Sequence, residues 1–365
     1  METDVVIIGA GPAGATAAIN LSPFRRVVVI DRLAEPANRM SESLAPAARR
    51  LLSDMGLWND FLADGHSPRY ATRSAWGSQV PDERDSLADI DGTGWLLDRK
   101  RFDARLRKTA IARGAKILAP ARVVGLDRSM SHWTVKFECS SVTHSINARM
   151  ILDCSGRSSQ LLTPFGAIRQ THNRLICGWI HGSILENDSG QGISYTESAP
   201  EGWWYTAQMT DRRRLLAWHT DADLPSAAAV RTRSALLEKA RQSTSLLNAI
   251  SDTSFDGSEP PSVIAAHSST LKPPAGENWL AAGDAAISFD PLSSQGLFNA
   301  IYTGLAAAEA LDRALNGDQS AMGEYTERLG MIDAAYQSHL SAWYGLETRW
   351  MDQEFWRRRV KMALT

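Results

Sequence analysis

An unbroken apolar run, Val5-Val6-Ile7-Ile8, opens the chain and stops at Gly9, the pattern of a strand buried on both faces. Pro12 to Leu21 then reads as an alanine-rich helix, and Arg26 to Ile30 as a second buried strand ending at Asp31. The chain therefore starts with a βαβ unit. Residues 46–62 carry Leu51, Leu52, Met55 and Leu62 at helical spacing. From 67 to 94 the sequence is polar and broken by Pro and Gly, as expected of an excursion toward a second domain. Leu96 to Arg113 returns to a helical pattern, and Lys116–Leu118 and Arg122–Val124 read as strands. Trp133–Glu138 and Thr143–Ala148 form a predicted hairpin, followed by a separate strand over Met150–Cys154.

Between residues 170 and 223 the period changes to two. Leu175–Ile184, Ile193–Glu197, Trp203–Met209 and Arg214–Thr220 read as neighbouring antiparallel strands, a suitable wall for a cleft. Ala227–Ile250 is expected to be helical, Trp279–Ala282 a short strand, Gly296–Leu315 a long helix, and the tail helical. The expected fold is α/β: a Rossmann-type dinucleotide-binding domain with an inserted antiparallel-sheet substrate domain. The first domain is interrupted, covering 1–70, 96–165 and 266–330; the substrate domain covers 71–95 and 166–265, and 331–365 forms a C-terminal helical segment.

Composition narrows the classes. The chain has 365 residues, 44% hydrophobic and 22% charged, with a formal net charge of -2. That charge gives no general reason to expect nucleic acid or an anionic membrane as partner. The opening apolar run is too short for a secretion signal or a membrane span. Cys139, Cys154 and Cys177 lack CxxC spacing and no histidine pair has ligand spacing, so no metal is expected and a reducing cytoplasm is the simplest home. The 12 tryptophans are expected to fill cores, with a few around an aromatic substrate as the alternative.

Gly9-Ala10-Gly11-Pro12-Ala13-Gly14 is G-x-G-x-x-G between a strand and a helix, the arrangement that brings a pyrophosphate against a helix N-terminus. Asp31 closes the next strand, placed for an adenosine ribose. The choice of dinucleotide comes from later segments. Trp279 to Asp284, ending in Gly283-Asp284, and Phe289 to Gly296 together resemble the Gly-Asp motif of the flavoprotein hydroxylase and halogenase superfamily. Asp153-Cys154-Ser155-Gly156 resembles its Asp-Gly motif, and Asp98-Arg99-Lys100-Arg101-Phe102-Asp103 its Asp-Arg-x-x-Phe-Asp segment. This resemblance implies non-covalent FAD, with Asp284 on the ribityl chain and Arg99 against the cofactor. The expected cofactor-binding set is Gly9, Gly11, Ala13, Gly14, Asp31, Arg32, Ser43, Arg99, Val123, Asp284, Gly296 and Leu297. A cap from Ser293 or Ser294 would aim the long helix at the flavin.

One glycine fingerprint and no cysteine pair leave oxygen chemistry, in which a dry pocket protects a flavin C4a-hydroperoxide. Electrons would come from NAD(P)H or a separate reductase. Halogenases need an early lysine, whereas none precedes Lys100 here, and Trp203-Trp204-Tyr205-Thr206-Ala207-Gln208 lacks the isoleucine and proline of their W-x-W-x-I-P motif. Ser41 to Pro46, Arg73 to Ser78, Gly202 to Tyr205, Thr220 to Leu224 and the tail Phe355-Trp356-Arg357-Arg358-Arg359 resemble the flavoprotein maturases of tryptophylquinone enzymes, with Ser41 where glycine is expected. That family accompanies glycine oxidase, lysine ε-oxidase or quinohemoprotein amine dehydrogenase. It implies O2-dependent hydroxylation of a tryptophan in a precursor protein, which would be the partner. Alternatives are a hydroxylase of small aromatics, a tryptophan halogenase, an isoprenoid reductase and a flavin-bearing chaperone.

Candidate catalytic residues are Glu42, which orients substrate or cofactor or is an exposed loop acid, and Asp290, an acid-base group or a turn former. Trp203 and His219 are candidate substrate residues. Trp203 and Trp204 must point to opposite faces of their strand. Arg212 to Arg214 reads as a solvated turn, and Arg357 to Arg359 as snorkelling residues or part of a docking surface.

Overall fold

The computed structural model describes residues 2–37, 40, 43–86, 89–129, 132–185, 192–209 and 211–362. Five parallel strands form its first layer, in the order Trp279–Ala281, Val142–Asp153, Glu2–Ile8, Val27–Ile30 and Lys116–Leu118. Val5, Val6 and Ile7 are wholly buried, as a strand covered on both faces requires. The helix Pro12–Leu21 crosses this sheet, and its small side chains let Gly296–Leu315 approach very closely. A Cβ on Gly304 would lie 2.3 Å from the Ala13 carbonyl oxygen, so glycine is required where the two helices touch.

The second sheet runs Thr253–Ser254, Leu175–Ile184, Arg213–Asp221, Gly202–Gln208, Ile193–Ala199, Ala71–Ala75 and Asp82–Asp85. All neighbours are antiparallel except Ile193–Ala199 with Ala71–Ala75. Its pleat separates two cores. Cys177, Trp179, Trp203, Leu215 and Ala217 join the core of the first layer. Ile180, Trp204, Leu216 and Trp218 pack instead with Leu236, Ala240 and Leu246 of the helices Arg233–Ala240 and Thr244–Ala249. The fold is thus the expected α/β frame with an antiparallel wall, and the two adjacent tryptophans do face opposite ways.

Several elements differ from the pattern-based expectation. The helix expected over 46–62 is two, Ala48–Asp54 and Trp58–Ala63, because Gly56 takes φ +70° between them. The hairpin strand and the strand after it are one, Val142–Asp153, since no Gly or Pro interrupts them. The helix over 227–250 is divided into a 3-10 turn at Pro225–Val230 and two helices, whose N-caps are Thr232 and Ser243. As expected, the polar stretch 67–94 reaches the second domain, contributing Ala71–Ala75 and Asp82–Asp85 to the second sheet, and the tail is helical, with Ala321–Gly345 and Glu354–Met362. Among the described residues no helix is long and apolar enough to cross a membrane.

Candidate cofactor and substrate site

The three glycines of the opening turn are required for different reasons. Gly9 has φ +103°, and a Cβ there would lie 2.4 Å from the Cys154 carbonyl oxygen. A Cβ on Gly14 would lie 1.9 Å from the Gly9 carbonyl oxygen. Gly11 is neither strained, with φ -73°, nor crowded, with nothing within 4 Å of its Cβ position. Glycine there keeps a cradle open above the helix start, where no side chain supplies a cap and no acid sits in the first turn. Those free N–H groups suit a pyrophosphate. Ala13 lies buried between Gly283 and Gly304, where both late elements meet the turn.

Asp31 locks this turn. Its carboxylate accepts from the backbone of Ala10 at 2.6 Å and Leu33 at 2.8 Å, and pairs with Arg107 at 3.2 Å. Arg107 also donates to the carbonyls of Ala10 and Leu33, each at 2.9 Å. An ionised carboxylate has about four acceptor sites, so one remains for a ribose hydroxyl. The Asp31 carbonyl accepts from Ala121 at 2.7 Å, which sets Val123 near the same end of the sheet, and Arg32 is exposed beside it. Arg107 was not foreseen. The signal was there, since Arg99, Asp103 and Arg107 lie at intervals of four on a helix whose buried residues include Phe102, Leu106 and Ala110. Arg99 is buried and pairs with Asp103 at 3.2 Å.

At the far side of the frame Trp279–Ala281 leads into the turn Gly283–Ala285, pinned by the Gly283 N–H donating to Thr303 Oγ1 at 2.9 Å. Asp284 faces Arg157 at 3.3 Å, and Arg157 also reaches the carbonyls of Phe289 and Ala265. Arg169 holds the same turn through Ala285 O and Ser159 O. Arg157 and Arg169 likewise escaped the sequence reading, because the residues of the late turn they hold, Asp284 and Ala285, lie over a hundred residues away. Asp153 turns inward, accepting from Ser155 and Ser159. The expected serine cap is absent: Gln295 is the N-cap of Gly296–Leu315 and makes no side-chain bond there, while the Ser293 hydroxyl donates back to Asp290 O at 2.8 Å. The helix start is therefore bare, and nothing lies within 4 Å of the Cβ position on Gly296. Leu297 is buried behind it, and Ser43 Oγ is buried without a hydrogen-bond partner among the described residues. Two open glycines at bare helix starts and an orphaned buried hydroxyl fit FAD.

Asp290 is fully buried, and burial pushes its carboxyl pKa up. It caps the turn Pro291–Ser293 through the Leu292 N–H at 3.0 Å and accepts from the Tyr344 hydroxyl at 2.7 Å, so it has the turn-forming role. Glu42 lies outside the described residues. Trp203 and His219 pair across the second sheet, with rings 3.5 Å apart and 4° from parallel. Burial lowers the His219 pKa to about 3 against an opposing hydrogen bond with the Trp203 backbone, so the imidazole is neutral. Among the described residues the Trp179 and Trp203 indole N–H groups and the Tyr205 hydroxyl are buried without hydrogen-bond partners, and the His219 ring has no partner beyond the Trp203 backbone. All project from the face that joins the first-layer core.

Near the sheet's other edge a cavity of about 460 Å³ is lined by Pro46, Arg69, Thr72, Arg84, Asp85 and Asp89, among others. Two arginine readings need correction. Arg214 is buried against Asp252 rather than solvated. Arg359 is buried against Asp221, and Arg358 pairs with Asp221 and Asp223, so neither is free for docking.

A profile of the family described as FAD binding domain matches residues 2–335. LodB of Marinomonas mediterranea, named for FAD-dependent oxidoreductase activity, is 28% identical over 369 residues, covering 98% of this chain and 96% of LodB. Among solved structures, the flavin-dependent halogenase CmlS superposes with a TM-score of 0.86 at 22% identity, over 98% of this chain and 68% of its own. QhpG, a peptidyl tryptophan dihydroxylase essential for tryptophylquinone cofactor biogenesis, superposes with a TM-score of 0.77 at 22% identity, over 98% of this chain and 79% of its own. At those identities the two structures speak to the fold.

Proposed function

This chain belongs to the FAD binding domain family of flavoproteins, and from that premise we propose that it hydroxylates a tryptophan side chain of a precursor protein during tryptophylquinone formation. The observation that carries the reading is the neutral aromatic face of the second sheet, where Trp179, Trp203, Tyr205 and His219 hold buried polar atoms in want of partners. Such a face suits a flat, uncharged ring with a polar edge. The maturase-like segments, and the likeness to LodB and QhpG, favour an indole carried by a protein.

Bound FAD would supply the reduction of O2 and the transfer of one oxygen atom. The balance is a ring C–H and O2, plus two electrons and two protons, giving ring C–OH and water. The electrons come from a nicotinamide or a separate reductase. This chain's residues bind and orient: the bare helix starts at Gly11 and Gly296 take negative charge, Asp31 with Arg107 fixes the adenosine end, and Asp284 with Arg157 the ribityl region. His219, neutral and stacked on Trp203, offers a wall instead of a proton. The sheet keeps water out, which protects reduced flavin and oxygen from unproductive discharge.

A halogenase is the second reading, favoured by the Asp290 to Gly296 segment. Against it, Lys100, the first lysine, is exposed, and Lys239 is paired with Glu201. The test supplies reduced holoprotein with oxygen, halide and either precursor or free aromatics. Oxygen mass on a precursor tryptophan supports the proposal. Halide incorporation, or turnover of free aromatics alone, overturns it.

A further inference from the structure

The family profile ends at residue 335, yet the chain after it reaches into the site. The Tyr336 hydroxyl accepts from the Asp290 N–H at 2.7 Å and pairs with Ser268 Oγ at 2.5 Å. The Tyr344 hydroxyl donates to Asp290 Oδ2, also at 2.7 Å. Asp290 in turn caps Pro291–Ser293, the short turn that delivers the bare N-terminus of Gly296–Leu315. Behind Tyr344, the Arg359 guanidinium lies 4.9 Å from its ring centre and 3.4 Å from that of Phe355. Arg359 is ion-paired at 2.9 Å with Asp221, the last residue of the strand Arg213–Asp221. A continuous buried run thus joins the end of the second sheet to the turn at the head of the long helix.

We propose that Tyr336 and Tyr344 are positioning residues, which set the 290–296 turn against the flavin ring, with Arg359 and Asp221 as their anchor. The inference rests on the FAD reading above and not on the choice of substrate. Both tyrosines act on Asp290, one on its N–H and one on its carboxylate. Removing either oxygen leaves a buried polar group short of a partner, which forces the turn to shift or to admit water. The adenosine end is held elsewhere, by Gly9 to Gly14, Asp31 and Arg107. The tyrosines should therefore govern how the flavin ring is tuned and have little influence on whether FAD binds. Reduced flavin carries extra negative charge, so a small displacement of the helix start changes its stability more than that of the oxidised form.

The test uses the full chain loaded with FAD, as Tyr344→Phe, Tyr336→Phe and Arg359→Leu. Affinity for oxidised FAD should stay within about threefold of the parent, while the ratio of oxidised to reduced FAD dissociation constants, read as the midpoint potential, changes by about tenfold. The flavin absorption bands should shift in the same variants. Arg359→Leu keeps both hydroxyls and should shift the potential in the same direction by less. Variants that lose thermal stability yet keep the parent potential and spectrum would reduce the tyrosines to packing and overturn the inference. Should one tyrosine variant fail to fold, the other two decide by the same readout. Failure to hydroxylate tryptophan would leave the potential shift untouched, so the two readings fall separately.

Discussion

Gly11 and Gly14 sit three residues apart and should respond to alanine in opposite ways. Alanine at 14 places a methyl 1.9 Å from the Gly9 carbonyl, an overlap that helix and strand cannot both accommodate. It should destabilise the protein by about 1–3 kcal/mol or more with or without FAD. Alanine at 11 meets no protein atom within 4 Å. The apoprotein should melt within about 1 kcal/mol of the parent, while FAD affinity drops at least about tenfold; thermal unfolding beside flavin titration separates the two. His219 gives a pH signature. Its folded pKa of about 3 lies below the unfolded value of about 6.5, so the unfolded chain binds the proton first. Stability is then full above pH 6.5 and is lost as pH falls toward 3. His219→Phe keeps the stack on Trp203 and removes the titration. Its loss of stability between pH 7 and pH 5, read from denaturant midpoints, should be smaller than the parent's by about 2 kcal/mol.

At the scale of elements, the helix Arg99–Ala112 shows a buried stripe with charged groups in it, and Arg107 ties that helix to the glycine turn through Asp31 and the Ala10 carbonyl. Arg107→Leu should weaken FAD binding about tenfold or more, followed by flavin fluorescence, with the potential of whatever FAD remains bound near the parent value. Strands and glycine turns were legible in the sequence because their signals are local: an apolar run, a period of two, a glycine where a Cβ would collide. Arg157 and Arg169 were not, since each acts across a gap in sequence that only the closed fold brings together; the spacing of Arg107 with Arg99 and Asp103 was legible, but its partners Asp31 and Ala10 were not. Boundaries failed for a similar reason. Hydrophobic spacing continues through Gly56, but the left-handed backbone there ends one helix and starts another. The serine cap failed because Ser293 donates to Asp290 O and the turn ends with Ser294 at φ 52°, leaving Gln295 at the cap.

At the scale of the molecule, two layers are brought together by parts of the chain far apart in sequence. The last parallel strand, Trp279–Ala281, follows every strand of the second sheet in sequence yet pairs within the first. The C-terminal helices then bridge both layers through Asp290 and Asp221. Trp203 and His219 stack on the face of the second sheet that joins the first-layer core, and the proposal of an aromatic substrate rests on that face. Reduced holoprotein, its precursor and isotope-labelled dioxygen test the assignment most directly, with the modified peptide sequenced by mass spectrometry. Labelled oxygen is expected on a tryptophan ring carbon, drawn from dioxygen and not from water. An unlabelled precursor after full reoxidation of the flavin would contradict it.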